Sequence, residues 1–237
     1  MALIALAEQL QRSGVGHVPS ALDESQICAL CSSIRAETAV GAVRARFRSA
    51  YGARGLLLAR PHLRLLFAEL MIDRIAVAAL GDGAFPIDAV FFDKHSEANW
   101  AVPAHQDVVV PIPASADPVG VRNIRDRHGL RYGEPPDRVL KELVALRVHF
   151  DDAGIENGGL SIVDGSHLRG RLSNTDILEI SPESYRAYDC RAGDVLLMKP
   201  LAVHRSGRSI LPTHRRVLQI LYGPCDGWHA RASRNAA

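Results

Sequence analysis

Short apolar runs separated by glycine, proline, aspartate and asparagine fill the chain from Ala84 onward, and they constrain the fold more than any other feature. Runs of this length, bounded in this way, predict β-strands rather than helices. A long series of short strands is typical of a β-barrel or a jelly roll. The predicted strands cover residues 86–93, 105–112, 143–151, 159–163, 194–198, 202–206 and 215–223.

Two helical patterns precede these strands. The first runs from Asp23 to about Phe47, with apolar residues at helical spacing. The second begins at Pro61, a residue suited to the first turn of a helix, and stops at Gly81. The order of these elements predicts a mainly β fold with flanking α-helices.

The length of 237 residues and a hydrophobic content of 47% suit one well-packed domain. We therefore predict a single domain over residues 1–237. Its helical part lies at about 20–82 and its β-barrel core at about 84–223. Residues 113–141 interrupt the strand rhythm with four prolines and a charged stretch, which predicts a lid over a binding site or a solvated surface insertion. As a lid, it would place Arg122 and Arg125 where they could steer an anionic substrate.

The charge balance and the N-terminus give expectations about binding partners and location. A net charge of +2 without a long basic run gives no indication of nucleic-acid binding. The first residues lack the basic region of a secretory signal, and no apolar run approaches the roughly 20 residues that span a bilayer. We expect a cytoplasmic protein that does not bind a membrane.

The cysteines offer one alternative metal site. Cys28 and Cys31 form a C-x-x-C inside a helical pattern, and a zinc site there would need Cys190 and Cys225 from distant parts of the chain. Cysteines packed as small apolar residues in a reducing compartment are the simpler interpretation.

The tripeptide His105-Gln106-Asp107 carries the main chemical signal. In a strand, alternate side chains share a face, so His105 and Asp107 would point to the same side. Two histidines and one carboxylate form the facial triad that suits non-haem Fe(II) used with oxygen. His204, after an apolar strand, is the favoured third ligand, and His214 is its rival.

Arg215 lies 11 residues beyond His204, at the start of the last apolar strand. A guanidinium there could bind an anion beside the metal, because its fork matches both oxygens of a carboxylate. Ser206 shares the strand face of His204 and could donate a hydroxyl. Arg147 and His149 share another strand face and could contact a substrate, although packing is an alternative for His149.

These residues, taken in order, resemble the phytanoyl-CoA dioxygenase family of Fe(II)/2-oxoglutarate oxygenases. Between His105-Gln106-Asp107 and His204 the chain reads Asn157-Gly158-Gly159-Leu160-Ser161-Ile162-Val163-Asp164-Gly165-Ser166-His167, close to the family's N-G-x-L-x-x-x-P-G-S-H. Asp164 replaces the usual proline, and Ala104 precedes the tripeptide where Trp or Leu is frequent. The resemblance covers roughly residues 12–223.

The resemblance implies a double-stranded β-helix, the jelly roll of cupin-like proteins. It implies Fe(II) held by His105, Asp107 and His204, and 2-oxoglutarate held by Arg215 with Ser206 assisting. Lys94 matches a position that is often polar and cavity-facing. The implied reaction consumes O2 and 2-oxoglutarate, releases succinate and CO2, and hydroxylates an unactivated carbon of a small-molecule metabolite.

Two other functions remain open at this point. A non-catalytic, cupin-like sensor could bind 2-oxoglutarate and a metal without oxygen chemistry. A metal-dependent isomerase or hydrolase would explain the triad but not the spacing of Arg215. The sequence identifies neither the substrate nor the oligomeric state, and it gives only a preference for a small or medium polar metabolite.

Overall fold

The computed structural model describes residues 4–35, 42–46, 49–112, 120–127, 130–211 and 213–224. Its helices are α1 (Ile4–Ser13), α2 (Glu24–Arg35), α3 (Leu56–Ala59), α4 (Leu63–Glu69), α5 (Ile72–Leu80), α6 (Asp137–Glu142) and α7 (Asn174–Leu178). Its strands are β1 (Val15–Val18), β2 (Ala42–Arg46), β3 (Ser49–Arg54), β4 (Ala84–Lys94), β5 (Val102–His105), β6 (Val110–Ile112), β7 (Arg122–Arg127), β8 (Leu130–Glu134), β9 (Val144–His149), β10 (Leu160–Ile162), β11 (Arg186–Tyr188), β12 (Val195–Met198), β13 (His204–Ser206) and β14 (Arg215–Pro224).

Among the described residues, two larger antiparallel sheets and a small one of three strands, β6-β8-β7, form the β-rich part of the fold. The seven-stranded sheet has the strand order β1-β12-β9-β14-β4-β3-β2, and the four-stranded sheet has the order β11-β10-β13-β5. Neighbouring strands in each of these two larger sheets are mostly far apart in sequence, as a jelly roll requires. The prediction of a mainly β, cupin-like double-stranded β-helix with flanking helices is confirmed.

The main core lies between the helices and one face of the large sheet. Helix α5 contributes Ile72, Ile75 and Ala76, all buried, and packs against β4, β9 and β14. These residues recur at helical spacing, so they form the apolar stripe of an amphipathic helix. The opposite face of the sheet is left to line a cavity.

The first predicted helix, Asp23 to about Phe47, is shorter in the structure than the sequence analysis expected. Helix α2 ends at Arg35, and β2 and β3 then pair as a hairpin that joins the edge of the large sheet through β4. Sheet hydrogen bonds therefore override a helical residue pattern, as tertiary context often does. Phe47, the predicted end of the first helix, lies outside the described residues.

The second predicted helix is divided into α4 and α5. Met71, between them, has a left-handed backbone with φ of 65°, and a non-glycine residue in that conformation interrupts a helix. Pro61 lies two residues before α4 rather than inside its first turn. The predicted stop at Gly81 is confirmed, because α5 ends at Leu80.

Residues 113–141 contain regular structure that the sequence analysis did not predict. Strands β7 and β8 form a hairpin that pairs with β6, and α6 follows it. Residues 113–119 and 128–129 of this segment lie outside the described residues. No helix in the described part of the chain is long and apolar enough to cross a membrane.

Candidate metal and 2-oxoglutarate site

His105, Asp107 and His204 lie together, and one ligand atom from each falls within 4.8 Å of the others. Nε2 of His105 is 3.5 Å from Oδ1 of Asp107, and Nε2 of His204 is 3.9 Å from Oδ2. The two imidazole rings are 4.2 Å apart between centroids. Two nitrogen donors and one carboxylate on the same side of a cavity are the donor set of a non-haem iron centre.

Strand pairing positions the two histidines. His105 ends β5 and His204 begins β13, and the two residues are directly opposite each other in the antiparallel pair. Each Nδ1 faces a nearby backbone carbonyl oxygen, of Pro103 for His105 and of Ala202 for His204. A carbonyl at Nδ1 fixes the ring orientation and leaves Nε2 for a metal.

Asp107 reaches the histidines by a different route from the one predicted. The continuous strand 105–112 is wrong: β5 ends at His105 and β6 begins at Val110. The side chain of Gln106 is buried and donates to the carbonyl oxygens of Gly170 and Leu201, while it accepts from the amide of Leu172.

The amide of Asp107 donates to Pro200 O at 2.8 Å. A turn anchored by Gln106, and not the pleat of a strand, therefore presents Asp107 beside His105.

The electrostatics favour an ionised carboxylate at Asp107 and a neutral imidazole at His204. At His105, burial would lower the pKa, but the hydrogen bond and charge of Asp107 outweigh it and raise that pKa. Burial alone would raise the pKa of Asp107, but His204, His105 and Arg147 outweigh it and hold that pKa well below its usual range. Burial lowers the pKa of His204 to about 4, against the opposing effect of Asp107. The shifts at Asp107 and His204 keep these two residues in the protonation state that binds a metal.

Three further predicted residues meet at one wall of the same cavity. Lys94 on β4 and Arg215 on β14 are cross-strand partners. Nζ of Lys94 donates to Ser206 Oγ at 3.0 Å and to Gly207 O at 2.7 Å. Burial, followed by the charges of Arg215 and Arg147, lowers the pKa of Lys94 to about 7. The structure thus brings Lys94, Ser206 and Arg215 together.

The surroundings of Arg215 are those of an anion-binding residue. It is 3% exposed, and its Nε is buried without a hydrogen-bond partner among the described residues. Buried polar groups in proteins are nearly always paired, so a buried, unpaired Nε on an arginine that lines a cavity indicates a missing ligand. A carboxylate such as that of 2-oxoglutarate fits this donor set.

The cavity that contains both groups has a volume of about 440 Å³. Volumes of this size are typical of small-molecule sites. Its lining includes the triad, Lys94, Arg147, Ser206, Arg215, Gln219, Trp100, Arg54 and apolar residues of β4 and β5. Among the residues that the structure describes, Asp107 is the only acidic one in that lining.

Gln219 is a residue of the site that the sequence analysis missed. It lies opposite Arg147 in the β9–β14 pair; its Oε1 accepts from Nη1 of Arg147, and its Nε2 donates to Oδ2 of Asp107 at 3.3 Å. It is the only uncharged polar residue in the apolar run Val217–Tyr222, apart from the tyrosine itself. That lone amide in a buried strand was the signal that could have found it.

The remaining candidates lie elsewhere. His149 is buried and its Nδ1 faces Asp194 O at 3.4 Å, but it is not part of the cavity lining. His214, the rival ligand, pairs with Asp93 at 2.7 Å outside the triad. Arg122 and Arg125 are exposed on β7 and do not line the cavity.

The cysteines do not form the alternative zinc site within the described residues. No cluster of potential metal ligands in that part of the chain includes Cys28 or Cys31, and Cys225 lies outside it. Cys190 lies near His17 and Asp194, where burial and Asp194 raise the pKa of the thiol to about 12. Asp194 accepts hydrogen bonds from His17 and from the amides of Ser20 and Arg191. These contacts give its carboxylate a structural role, in which it holds the neighbouring turns together.

Two turns of the family motif at residues 157–167, one at Gly158 and one at residues 164–166, support the site from outside its cavity. Gly158 has φ of +67°, and a Cβ there would lie 2.9 Å from Gly207 O and 3.2 Å from Nζ of Lys94. Ser166 accepts from the amide of Val203, next to His204. Asp164, at the usual proline position, accepts hydrogen bonds from Tyr188 and Arg186 of β11.

Fold and site together define a jelly-roll protein whose cavity contains a His-Asp-His cluster and a positively charged wall, and comparison with known proteins agrees. The model of the phytanoyl-CoA dioxygenase family matches residues 10–217. This chain therefore belongs to the phytanoyl-CoA dioxygenase family, and the resemblance seen in its sequence is confirmed. At the level of the family, so is the expectation of iron and 2-oxoglutarate as cofactors.

Several solved structures share the fold. The epimerase SnoN from nogalamycin biosynthesis, in complex with Fe3+, alpha ketoglutarate and nogalamycin RO, is 18% identical, with 94% of this chain and 84% of that chain covered and a TM-score of 0.68. The carbocyclase SnoK from the same biosynthesis is 18% identical, with 92% and 83% covered and a TM-score of 0.66. EctD from S. alaskensis, in its apoform, is 16% identical, with 92% and 75% covered and a TM-score of 0.68. Among curated protein sequences, none matches this chain closely enough to support a comparison.

Proposed function

We propose that this protein is an Fe(II)/2-oxoglutarate-dependent dioxygenase that hydroxylates an unactivated carbon of a small-molecule metabolite and releases succinate and CO2. One observation carries the proposal. A His-Asp-His cluster lines the same cavity as Arg215, a buried arginine whose Nε has no hydrogen-bond partner among the described residues, as a metal and a carboxylate co-substrate require. Bound iron and 2-oxoglutarate would supply the oxidative chemistry with O2, because the side chains present cannot activate oxygen themselves.

The chain's own residues have separable tasks in this proposal. His105, Asp107 and His204 would hold the metal through one nitrogen or oxygen each, with their orientation fixed by backbone carbonyls and by Gln219. Arg215 would bind the distal carboxylate of 2-oxoglutarate. Ser206, which already contacts Lys94, would donate its hydroxyl to the same group.

Hydroxylation is the specific reaction that we propose within a family of broader chemistry. One structural neighbour is an epimerase and another is a carbocyclase, so the fold accommodates several outcomes. The carboxylate of Asp107 completes the triad, and a complete triad supports hydroxylation over halogenation, in which this position is vacated for halide. Product analysis by mass spectrometry distinguishes a gain of one oxygen from loss of two hydrogens.

The substrate that we propose is small or of medium size and polar. The cavity volume and its charged lining support this class. The hairpin β7–β8 carries Arg122 and Arg125 on an exposed surface, which supports the proposal that residues 113–141 act as a lid that steers an anionic substrate. Small molecules are the only partners that the proposal requires.

Calorimetry tests the proposal directly. Fe(II)-loaded wild-type protein, titrated without oxygen, is expected to bind one 2-oxoglutarate per chain. Arg215→Gln is expected to keep its Fe(II) and lose about tenfold or more in 2-oxoglutarate affinity, since one charge-assisted pair is removed. Wild-type protein that binds Fe(II) but no 2-oxoglutarate would contradict the proposal.

A further inference from the structure

Arg147 is a second buried arginine with an unused edge in the candidate site. It lies on β9, is 6% exposed and lines the cavity. Its Nη1 donates to Gln219, whose amide in turn contacts Asp107. The guanidinium therefore lies one side chain away from a candidate metal ligand.

The opposite edge of this guanidinium has no partner among the described residues. Nε of Arg147 is buried and unpaired, and Nη1 is the only nitrogen of the group with a hydrogen bond there. A buried N–H without a partner is costly, so proteins rarely leave one unless a ligand completes it. Nε and Nη2 of an arginine project in parallel and match the two oxygens of one carboxylate.

Arg147 and Arg215 come from different positions along the strands that line the cavity. Arg147 faces Gln219, which lies four residues beyond Arg215 on β14, so the two positions are about 13 Å apart along the strand. Arg215 pairs in register with Lys94, whereas Arg147 is linked through Gln219 to Asp107. Arg147 is thus the arginine that is linked to the triad. The two guanidinium charges still act on each other, since burial and the charge of Arg147 lower the pKa of Arg215 to about 9.

We propose that the Nε–Nη2 edge of Arg147 is a second carboxylate-binding position, separate from Arg215 and adjacent to the metal triad. The inference rests on the proposed function and adds the recognition of a second carboxylate to it. That carboxylate belongs either to the keto-acid end of 2-oxoglutarate or to the substrate. The positive lining, with Arg54, Lys94, Arg147 and Arg215 against Asp107, attracts an anion in either case.

The test measures binding rather than turnover, with Fe(II)-loaded protein under nitrogen. The probes are 2-oxoglutarate, 2-oxopentanoate, which lacks the distal carboxylate, and acetate added to protein saturated with 2-oxoglutarate. The variants are Arg147→Gln, Arg147→Lys and the exposed control Arg186→Gln. Fe(II) affinity is measured for each, so that damage to the triad is detected separately.

Two results would support the proposal and identify the source of the carboxylate. If the keto-acid end is bound, Arg147→Gln weakens 2-oxoglutarate and 2-oxopentanoate alike by about 30-fold, which corresponds to the loss of one charged hydrogen-bonded pair. If the substrate carboxylate is bound, both keto acids bind as in the wild type and acetate binding disappears. Arg147→Lys keeps the charge without the fork and is expected to fall between wild type and Arg147→Gln in both cases.

Two results would overturn the proposal. Equal binding of all three probes by wild type and both Arg147 variants would show that no carboxylate occupies this edge. Loss of Fe(II) together with the probes would show that Arg147 only holds Gln219 and Asp107 in place. Failure of the proposed function is distinguishable from both, because the wild-type protein itself would then bind no 2-oxoglutarate. If Arg147→Gln does not fold, Arg147→Lys supplies the same comparison.

Discussion

Lys94 and Arg215 face each other across β4 and β14 and direct two positive charges toward one cavity. Like charges directly opposite in a sheet destabilise it, so this pair is a cost to the fold unless an anion lies between them. The hydrogen bonds from Lys94 to Ser206 and Gly207 tie this cation to the strand that carries His204. The arrangement links the proposed metal ligands to the proposed 2-oxoglutarate position.

Binding of 2-oxoglutarate is expected to strengthen as the pH falls from 8.5 to 6. The pKa of Lys94 is lowered to about 7, chiefly by burial, so the amine is largely neutral at pH 8.5 and protonated at pH 6. A dianion binds the protonated form better. In Lys94→Met, the gain in 2-oxoglutarate affinity between pH 8.5 and pH 6 should be about tenfold smaller than in the wild type, as measured by calorimetry with Fe(II)-loaded protein. The same pH profile in wild type and Lys94→Met would contradict the role of Lys94.

Gly158→Ala is expected to destabilise the protein more than Gly83→Ala does. Both glycines have positive φ, so both variants incur a backbone cost of about 1–2 kcal/mol. Only at Gly158 would the new Cβ meet a backbone oxygen, that of Gly207, at 2.9 Å; nothing lies within 4 Å at Gly83 among the described residues. Urea unfolding of the two variants measures the difference, and equal losses would show that the turn relaxes freely.

Asp88 is expected to make the protein less stable as the pH rises from about 4 to 8. Burial raises the pKa of this carboxyl to about 7, against the opposing charges of Arg54 and Arg64. Because the folded-state pKa lies above the unfolded one, the stabilisation is present at low pH and is lost as the pH rises through 7. The two pKa values limit the loss to about 4 kcal/mol.

The variant Asp88→Asn isolates this contribution, because its amide stays neutral at every pH. The stability of Asp88→Asn relative to the wild type should increase from pH 5 to pH 8 in urea unfolding. A difference that does not change with pH would indicate that Asp88 ionises normally in the folded protein.

The double variant Arg122→Ala/Arg125→Ala tests the proposed lid. Both side chains are exposed on β7, so their removal should leave the fold and 2-oxoglutarate turnover without substrate intact. The KM for an anionic substrate, found by screening a panel of metabolites, should rise, and added salt should diminish the difference. An unchanged KM at low salt would remove these arginines from substrate recognition; Arg186→Ala, outside the hairpin, serves as the control.

The residue types of the site were more predictable than the way in which the fold assembles it. Sequence spacing brought His105 and Asp107 to attention through an assumed strand, yet the structure joins them by a turn that Gln106 anchors. Register between distant strands cannot be obtained from one sequence, so the pairing of Lys94 with Arg215 could not be predicted. The same holds for Gln219, which matters only because β14 places it opposite Arg147.

The errors in secondary structure have a common physical origin. Residues 42–54 and 120–134 contain hairpins because the edge of a sheet is available to pair with them, and this information is absent from local residue patterns. The buried strands β4, β9, β12 and β14 were predicted well, because their apolar runs are long and clearly bounded.

Succinate formation tests the central claim most directly. Purified protein supplied with Fe(II), 2-oxoglutarate, ascorbate and air is expected to release succinate slowly even without substrate, and Asp107→Ala is expected to release none. Recovery of all 2-oxoglutarate without succinate, from wild-type protein shown to bind both Fe(II) and 2-oxoglutarate, would contradict the dioxygenase and favour a sensor that binds without reaction.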